Sequence, residues 1–311
     1  MNRFHAILLL LAVSIAPALA DSMSDARDVL DRYTQTDRRA AAELAVRDSL
    51  AGVMMRNSIL AKWKATPAEA VAVAGPFLFD KASPVQRYEI VASLGQNILT
   101  RECADLLHRI LQDTREPKEE EAATYEELTR SEAVAGLGIM ARTVDSGAAR
   151  RLQRGPSFAP QVPGLTPYLV SAARDKTERV QVLALDALAD CGDPVAVAEL
   201  KRRLEDKSEA VRFRAACLLT EFQDASGLPL LRDKIGQILK KDPKKADFSD
   251  YSDAALLFVS FERWTGKSMG KTPMNPSISS STTQAAALAQ EYQTMLKAWD
   301  AWWKTADSPI R

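Results

Sequence analysis

Along much of the chain apolar residues recur at steps of three and four, the spacing that lines one face of a helix. Within 209–222 the stripe is Val211, Ala215, Leu218, Leu219 and Phe222, and in a last helix expected over 284–304 it is Tyr292, Met295, Leu296, Trp299, Trp302 and Trp303. No stretch alternates apolar and polar positions as a half-buried strand would, so the expected fold class is all-α. Helix starts are marked by a capping residue followed by proline at Thr66-Pro67, Ser83-Pro84, Thr166-Pro167 and Asp193-Pro194. The cap oxygen accepts a free N–H of the first turn, and proline has no N–H there to satisfy. Thr66 with Glu69 also has the spacing of a capping box. Further helices are expected over 23–63, with Leu44, Val46, Leu50, Met54 and Leu60 inward, over 118–143, and over 251–264 ending at Gly266.

The pattern repeats. Asp175-Lys176-Thr177-Glu178-Arg179-Val180 returns as Asp206-Lys207-Ser208-Glu209-Ala210-Val211, 31 residues on. The same register pairs Leu169 with Leu200 and Leu231, Ala173 with Leu204 and Ile235, Ala184 with Ala215, and Leu188 with Leu219. A fixed period of this size means one supersecondary unit stacked on copies of itself. Each unit reads as two helices joined by a short turn at the Asp. A third copy begins at Asp80-Lys81-Ala82-Ser83-Pro84-Val85, and its following helix slips register by one residue near Ile90 to Leu94.

The run Val211-Arg212-Phe213-Arg214-Ala215-Ala216-Cys217-Leu218-Leu219 resembles the second helix of HEAT repeats, in particular the short HEAT-like kind first associated with phycobilin lyases. Val180-Gln181 and Val85-Gln86 depart from that pattern at the arginine. The resemblance covers roughly 166–240, with a weaker copy over 66–112. It implies an α-α superhelix, a HEAT-like solenoid, in which Asp175, Asp206, Val180 and Val211 form the structural repeat ladder, the turn Asp and Arg212 being hydrogen-bonded between neighbours. Phe261-Glu262-Arg263-Trp264-Thr265-Gly266 and Trp299-Asp300-Ala301-Trp302-Trp303 resemble the ending of secreted bacterial HEAT-like proteins, which implies a Trp-rich C-terminal capping helix. Such a cap covers the apolar face that a terminal repeat otherwise leaves wet.

The first residues read as an address. Arg3, the apolar run Ala6 to Ile15 and Ala18-Leu19-Ala20 have the order of a secretory signal peptide, so cleavage is expected near Ala20 and the location is periplasmic or secreted. The run is shorter than the ~20 residues of a spanning helix, and no later stretch is apolar enough, so no integral membrane segment is expected after cleavage. The expected organisation is 1–20 signal peptide, 21–143 N-terminal helical region, 144–165 irregular connection, 166–240 HEAT-like repeats and 241–311 C-terminal helical cap.

Charge sharpens the choice of partner. Lys plus Arg number 41 against 41 Asp plus Glu, and loss of Arg3 with the signal takes the first figure to 40. That balance gives no sequence-wide pull on nucleic acid, which is not expected as a partner. Alanine is about one residue in six and aromatics only 6%, as close-packed helices require.

Chemistry finds little foothold. Of two histidines, His5 lies in the signal segment and His108 on a helix beside Leu107, Ile110 and Leu111. Deoxyhypusine hydroxylase, a HEAT-like enzyme, holds iron with His-Glu pairs, but here His108 precedes Arg109, so no metal or other cofactor is expected. Gly266-Lys267-Ser268 imitates the tail of a phosphate loop, yet position 261 is Phe where glycine is needed. Glu119 to Glu121 with Glu126 and Glu127 read as a solvated face. Cys103, Cys191 and Cys217 match neither a zinc nor a Cys-x-x-Cys pattern, and Cys191 and Cys217 are expected to be free thiols, the state of Cys103 staying open.

The leading expectation is therefore a non-catalytic scaffold that binds a protein or peptide on the face of its second helices, with Arg179, Asp186, Arg212 and Arg214 as candidate contacts. The alternatives are a lyase-type enzyme or accessory factor with a pocket near 144–165, and glycan binding by the Trp-rich end.

Overall fold

A computed structural model describes residues 67–80, 82–143, 159–241, 248–268 and 282–305. The signal segment, the helices expected over 23–63, the Thr66 cap, most of the 144–165 connection and the Pro- and Ser-rich stretch after 268 lie outside the described residues. Among those described there are eleven α-helices, one 3-10 turn and no strand. The fold class is all-α, an α-α superhelix with a Trp-rich cap. The described residues fall into two compact units, one within 67–141 and 159–172, the other within 142–143 and 173–305.

The first unit contains α1 (Pro67–Asp80), α2 (Pro84–Asn97), α3 (Arg101–Gln112), α4 (Glu120–Ala141) and α5 (Thr166–Ala172). α1 packs on α3 and α2 on α4, which is the stacking of two helix pairs. Local chemistry sets the starts. Ser83 caps α2, its Oγ accepting from Gln86 N while the Gln86 side chain returns to the Ser83 N–H, a reciprocal box with Pro84 in the first turn. Thr100 caps α3 in the same way, accepting from Cys103 N. At the other end of α3 the carbonyls of Ile110, Leu111 and Asp113 accept from the buried Arg130 guanidinium of α4. Those carbonyls are the negative end of the helix, so a cation there offsets both orphaned acceptors and dipole.

The second unit contains α6 (Glu178–Cys191), α7 (Pro194–Arg203), α8 (Glu209–Glu221), a 3-10 turn (Ala225–Gly227), α9 (Leu228–Lys240), α10 (Phe248–Thr265) and α11 (Thr282–Trp303). The second helices α6, α8 and α10 lie side by side, α7 and α9 pair with α8, and α11 packs on α9 and α10. Asp193 Oδ1 accepts from Val195 N at 2.9 Å to start α7, and Ser208 Oγ accepts from Val211 N at 3.2 Å to start α8. Gly192 ends α6 at φ +65 and Gly266 follows α10 at φ +67, a conformation that an L side chain resists.

The predicted stripes face inward. Val180, Val211, Ala184, Ala215, Leu188 and Leu219 have no exposed surface, whereas Phe222 sits half-buried at the C-cap of α8. In α11, Tyr292, Met295, Leu296, Trp299 and Trp303 join Phe258 and Phe261 of α10 and Leu231 and Ile235 of α9 in one core. Phe261 lies 5.2 Å from Trp299 and 5.5 Å from Trp303, centroid to centroid. Each such ring buries on the order of 150–250 Å², so this cluster dominates the burial at the end of the unit.

Candidate binding face of the second helices

The turns that lead into α6 and α8 are built alike. Asp175 Oδ1 accepts from Thr177 N at 2.9 Å, and Asp206 Oδ1 from Ser208 N at 3.0 Å. From the helix that follows, Gln181 Nε2 donates to the Asp175 carbonyl at 2.5 Å and Arg212 Nη1 to the Asp206 carbonyl at 2.7 Å. Gln181 and Arg212 are one period apart, so glutamine performs in one repeat the task that arginine performs in the next. Arg212 also donates to the Lys207 carbonyl. These bonds remain within one repeat. The ladder between neighbours expected of Arg212 is thus replaced by closure of its own turn, because the side chain folds back over five or six residues of the same chain. One contact between repeats is Ser208 Oγ donating to Glu178 Oε2 at 2.6 Å.

The four candidate contact residues fall into three situations. Arg179 is exposed in the first turn of α6. Arg212 is half-buried and engaged in its turn. Asp186 of α6 and Arg214 of α8 meet across the helix seam, with Nε donating to Oδ1 at 2.6 Å and Nη2 at 2.5 Å from the same oxygen. Their side chains keep 26% and 17% of their surface exposed, so the pair is partly desolvated yet reachable from solvent. Burial alone would pull the Arg214 guanidinium down, but Asp186, helped by Glu221, holds it above its ordinary value.

Two further rungs continue this line, and neither was foreseen. Glu221 of α8 pairs with Arg263 of α10. Lys234 of α9 lies 2.9 Å from both Glu209 of α8 and Asp253 of α10, over the Phe213 ring. The face of α6, α8 and α10 is therefore crossed by charged pairs at each helix seam. The first-helix side has its own focus, Glu199 of α7, 2% exposed and met by Arg174, Arg202 and Arg203. Against the opposing effect of burial, Arg174 and Arg203 hold its carboxyl below the ordinary value.

The thiols are poorly placed for nucleophilic work. All three cysteines are free and buried. Burial pushes Cys103 and Cys191 up to about 12 and Cys217 up to about 11, far from the pKa at which a thiolate forms readily. His108 stacks on Tyr168, rings 4.0 Å apart and 3° from parallel, while Tyr168 Oη donates to Asp105 at 2.7 Å. Of the three C-terminal tryptophans, Trp299 and Trp303 belong to the core and Trp302 alone is half-exposed.

Against known families, the match falls on these same helices. Residues 166–242 match the family model of HEAT repeats. Over that segment, which covers the two best copies of the 31-residue unit, the chain is similar to HEAT repeats. The comparison with curated proteins found no match. Among the described residues no helix is long and apolar enough to cross a membrane.

Proposed function

We propose that this chain is a non-catalytic, exported scaffold that takes a protein or peptide partner on the face of α6 and α8. The observation that carries this reading is the Asp186–Arg214 rung, a charged pair held at 2.5 to 2.6 Å across a helix seam with both side chains still in reach of solvent. A pair buried outright serves packing only, and one fully exposed is worth little. One between these limits offers a partner a fixed donor and a fixed acceptor whose desolvation is partly met in advance. Repeat stacking supplies the extended surface around it, and Arg179 adds an exposed cation one and a half to two turns away on the same helix. The secretory pattern of the first twenty residues supports a partner met in the periplasm or outside the cell.

A charge-swap cycle tests the assignment. Asp186→Arg and Arg214→Asp are made singly and together, and each full chain is used as bait on a native envelope extract. The single variants lose both melting temperature and partner. The double variant regains the melting temperature, because the pair is restored, and still fails to retain the partner, because donor and acceptor have changed places. Undiminished capture by the folded double variant would show that the partner binds elsewhere.

A further inference from the structure

At the end of α1, three guanidinium groups converge on one ring. The Cζ of Arg109 lies 4.9 Å from the Phe79 centroid, that of Arg87 5.6 Å and that of Arg115 5.8 Å. They come from α3, α2 and the segment after α3. Asp113 fixes two of them, accepting from Arg87 Nη2 at 2.9 Å and pairing with Arg115 Nε at 2.7 Å, while Arg115 Nη2 donates to the Phe79 carbonyl at 3.0 Å. Arg87 is 2% exposed, its Nη1 has no hydrogen-bond partner, and its Nε faces Glu126 only at 3.6 Å. Arg109 is exposed and has no carboxylate partner among the described residues. Arg115 keeps 36% of its side-chain surface.

Asp113 meets Arg87 and Arg115, Glu126 faces Arg87, and neither carboxylate pairs with Arg109. Burial pushes the Glu126 carboxyl up, with Arg87 opposing. The carbonyl end of α3, another source of negative charge, is already occupied by Arg130. Guanidinium groups held by a ring leave their N–H edges directed outward in a set geometry, which suits a planar oxyanion better than a freely rotating ammonium would.

We propose that Arg109 and Arg115, at the rim of Phe79, form a carboxylate-binding site that takes an acidic side chain of a peptide partner. Carboxylate is the chemistry favoured because the cluster already holds one: Asp113 lies between Arg87 and Arg115 with both contacts below 3 Å. The incoming carboxylate uses the edges of Arg109 and Arg115 that Asp113 leaves free. This site lies in the first unit and stands independently of the α6–α8 seam, so either assignment can fail alone.

Isothermal titration of the full chain at low salt, with an acetylated tetraglutamate amide as probe, tests it. The tetraglutamate binds, the matching tetraglutamine does not, and Arg109→Ala weakens binding about tenfold, the worth of one charge-assisted contact. Arg115→Lys, which keeps the charge and loses the fork, weakens it as well, and melting curves establish that both variants are folded. Absence of tetraglutamate binding, unchanged binding by folded Arg109→Ala, or binding of inorganic phosphate without tetraglutamate would each overturn the proposal.

Discussion

Gly136 and Gly95 meet backbone to backbone where α4 crosses α2. A Cβ placed on Gly136 would lie 2.6 Å from the Gly95 Cα and 2.8 Å from Leu107 Cδ1, and one on Gly95 would lie 3.0 Å from the Gly136 Cα. The leucine could turn aside, but the glycine backbone cannot. Alanine is worth about 1 kcal/mol over glycine in a helix, and overpacking of this kind costs roughly 1–3 kcal/mol. The clash wins, so Gly136→Ala lowers the unfolding free energy by about 2 kcal/mol. Gly236 of α9 has nothing within 4 Å of the same point, and there the propensity term acts alone. Gly236→Ala is expected to stabilise by about 1 kcal/mol. Urea unfolding of the two variants checks the pair, and equal signs would refute the α2–α4 crossing.

Stability responds to pH through two groups of opposite sense. Burial holds the His108 imidazole below its ordinary value despite Asp105, so the folded chain favours the neutral ring. Its contribution is complete above the unfolded value of about 6.5 and is lost as pH falls through the lower folded value. Glu126 is raised by burial, so its ionised form destabilises the fold at neutral pH and the penalty fades on acidification. Melting temperatures from about pH 7.5 to 5 should fall less for His108→Gln than for the parent. Glu126→Gln should gain most at the neutral end and least at the acid end. Parallel curves for all three proteins would contradict both assignments.

How far the sequence carried the reading depends on the range of each interaction. Caps at Ser83 and Asp193 and the inward stripes of α8 and α11 were legible because they are set by residues within a few positions of one another. The Asp186–Arg214 rung was hidden because its partners are 28 residues apart and share no repeat position: one period from Asp186 falls on Cys217, and Arg214 is one turn earlier. Pairing across a seam follows from how far one helix is offset from its neighbour, which the period alone does not supply. The Arg87–Asp113–Glu126 group was hidden for the same reason, and Glu126 in particular read as part of a solvated acidic run although its side chain is 9% exposed. Gln181 was within reach, since its register with Arg212 was known and only its shared hydrogen bond was not.

The cysteines provide a chemical test of the core. With Cys103, Cys191 and Cys217 buried and their thiols held at about 11 to 12, the folded chain should react with a thiol-labelling disulfide reagent far more slowly than the unfolded chain. In guanidinium all three should label without prior reduction. Rapid labelling of the folded protein would place at least one thiol at the surface.

Site-specific photocrosslinking tests whether the second helices form the partner face. A benzophenone amino acid is placed at Arg179, exposed on α6, and separately at Val195, exposed on α7, in chains expressed in the native host cell. Position 179 is expected to give a discrete crosslinked partner band and position 195 none. The same band from 195 with none from 179 would contradict that assignment of the face.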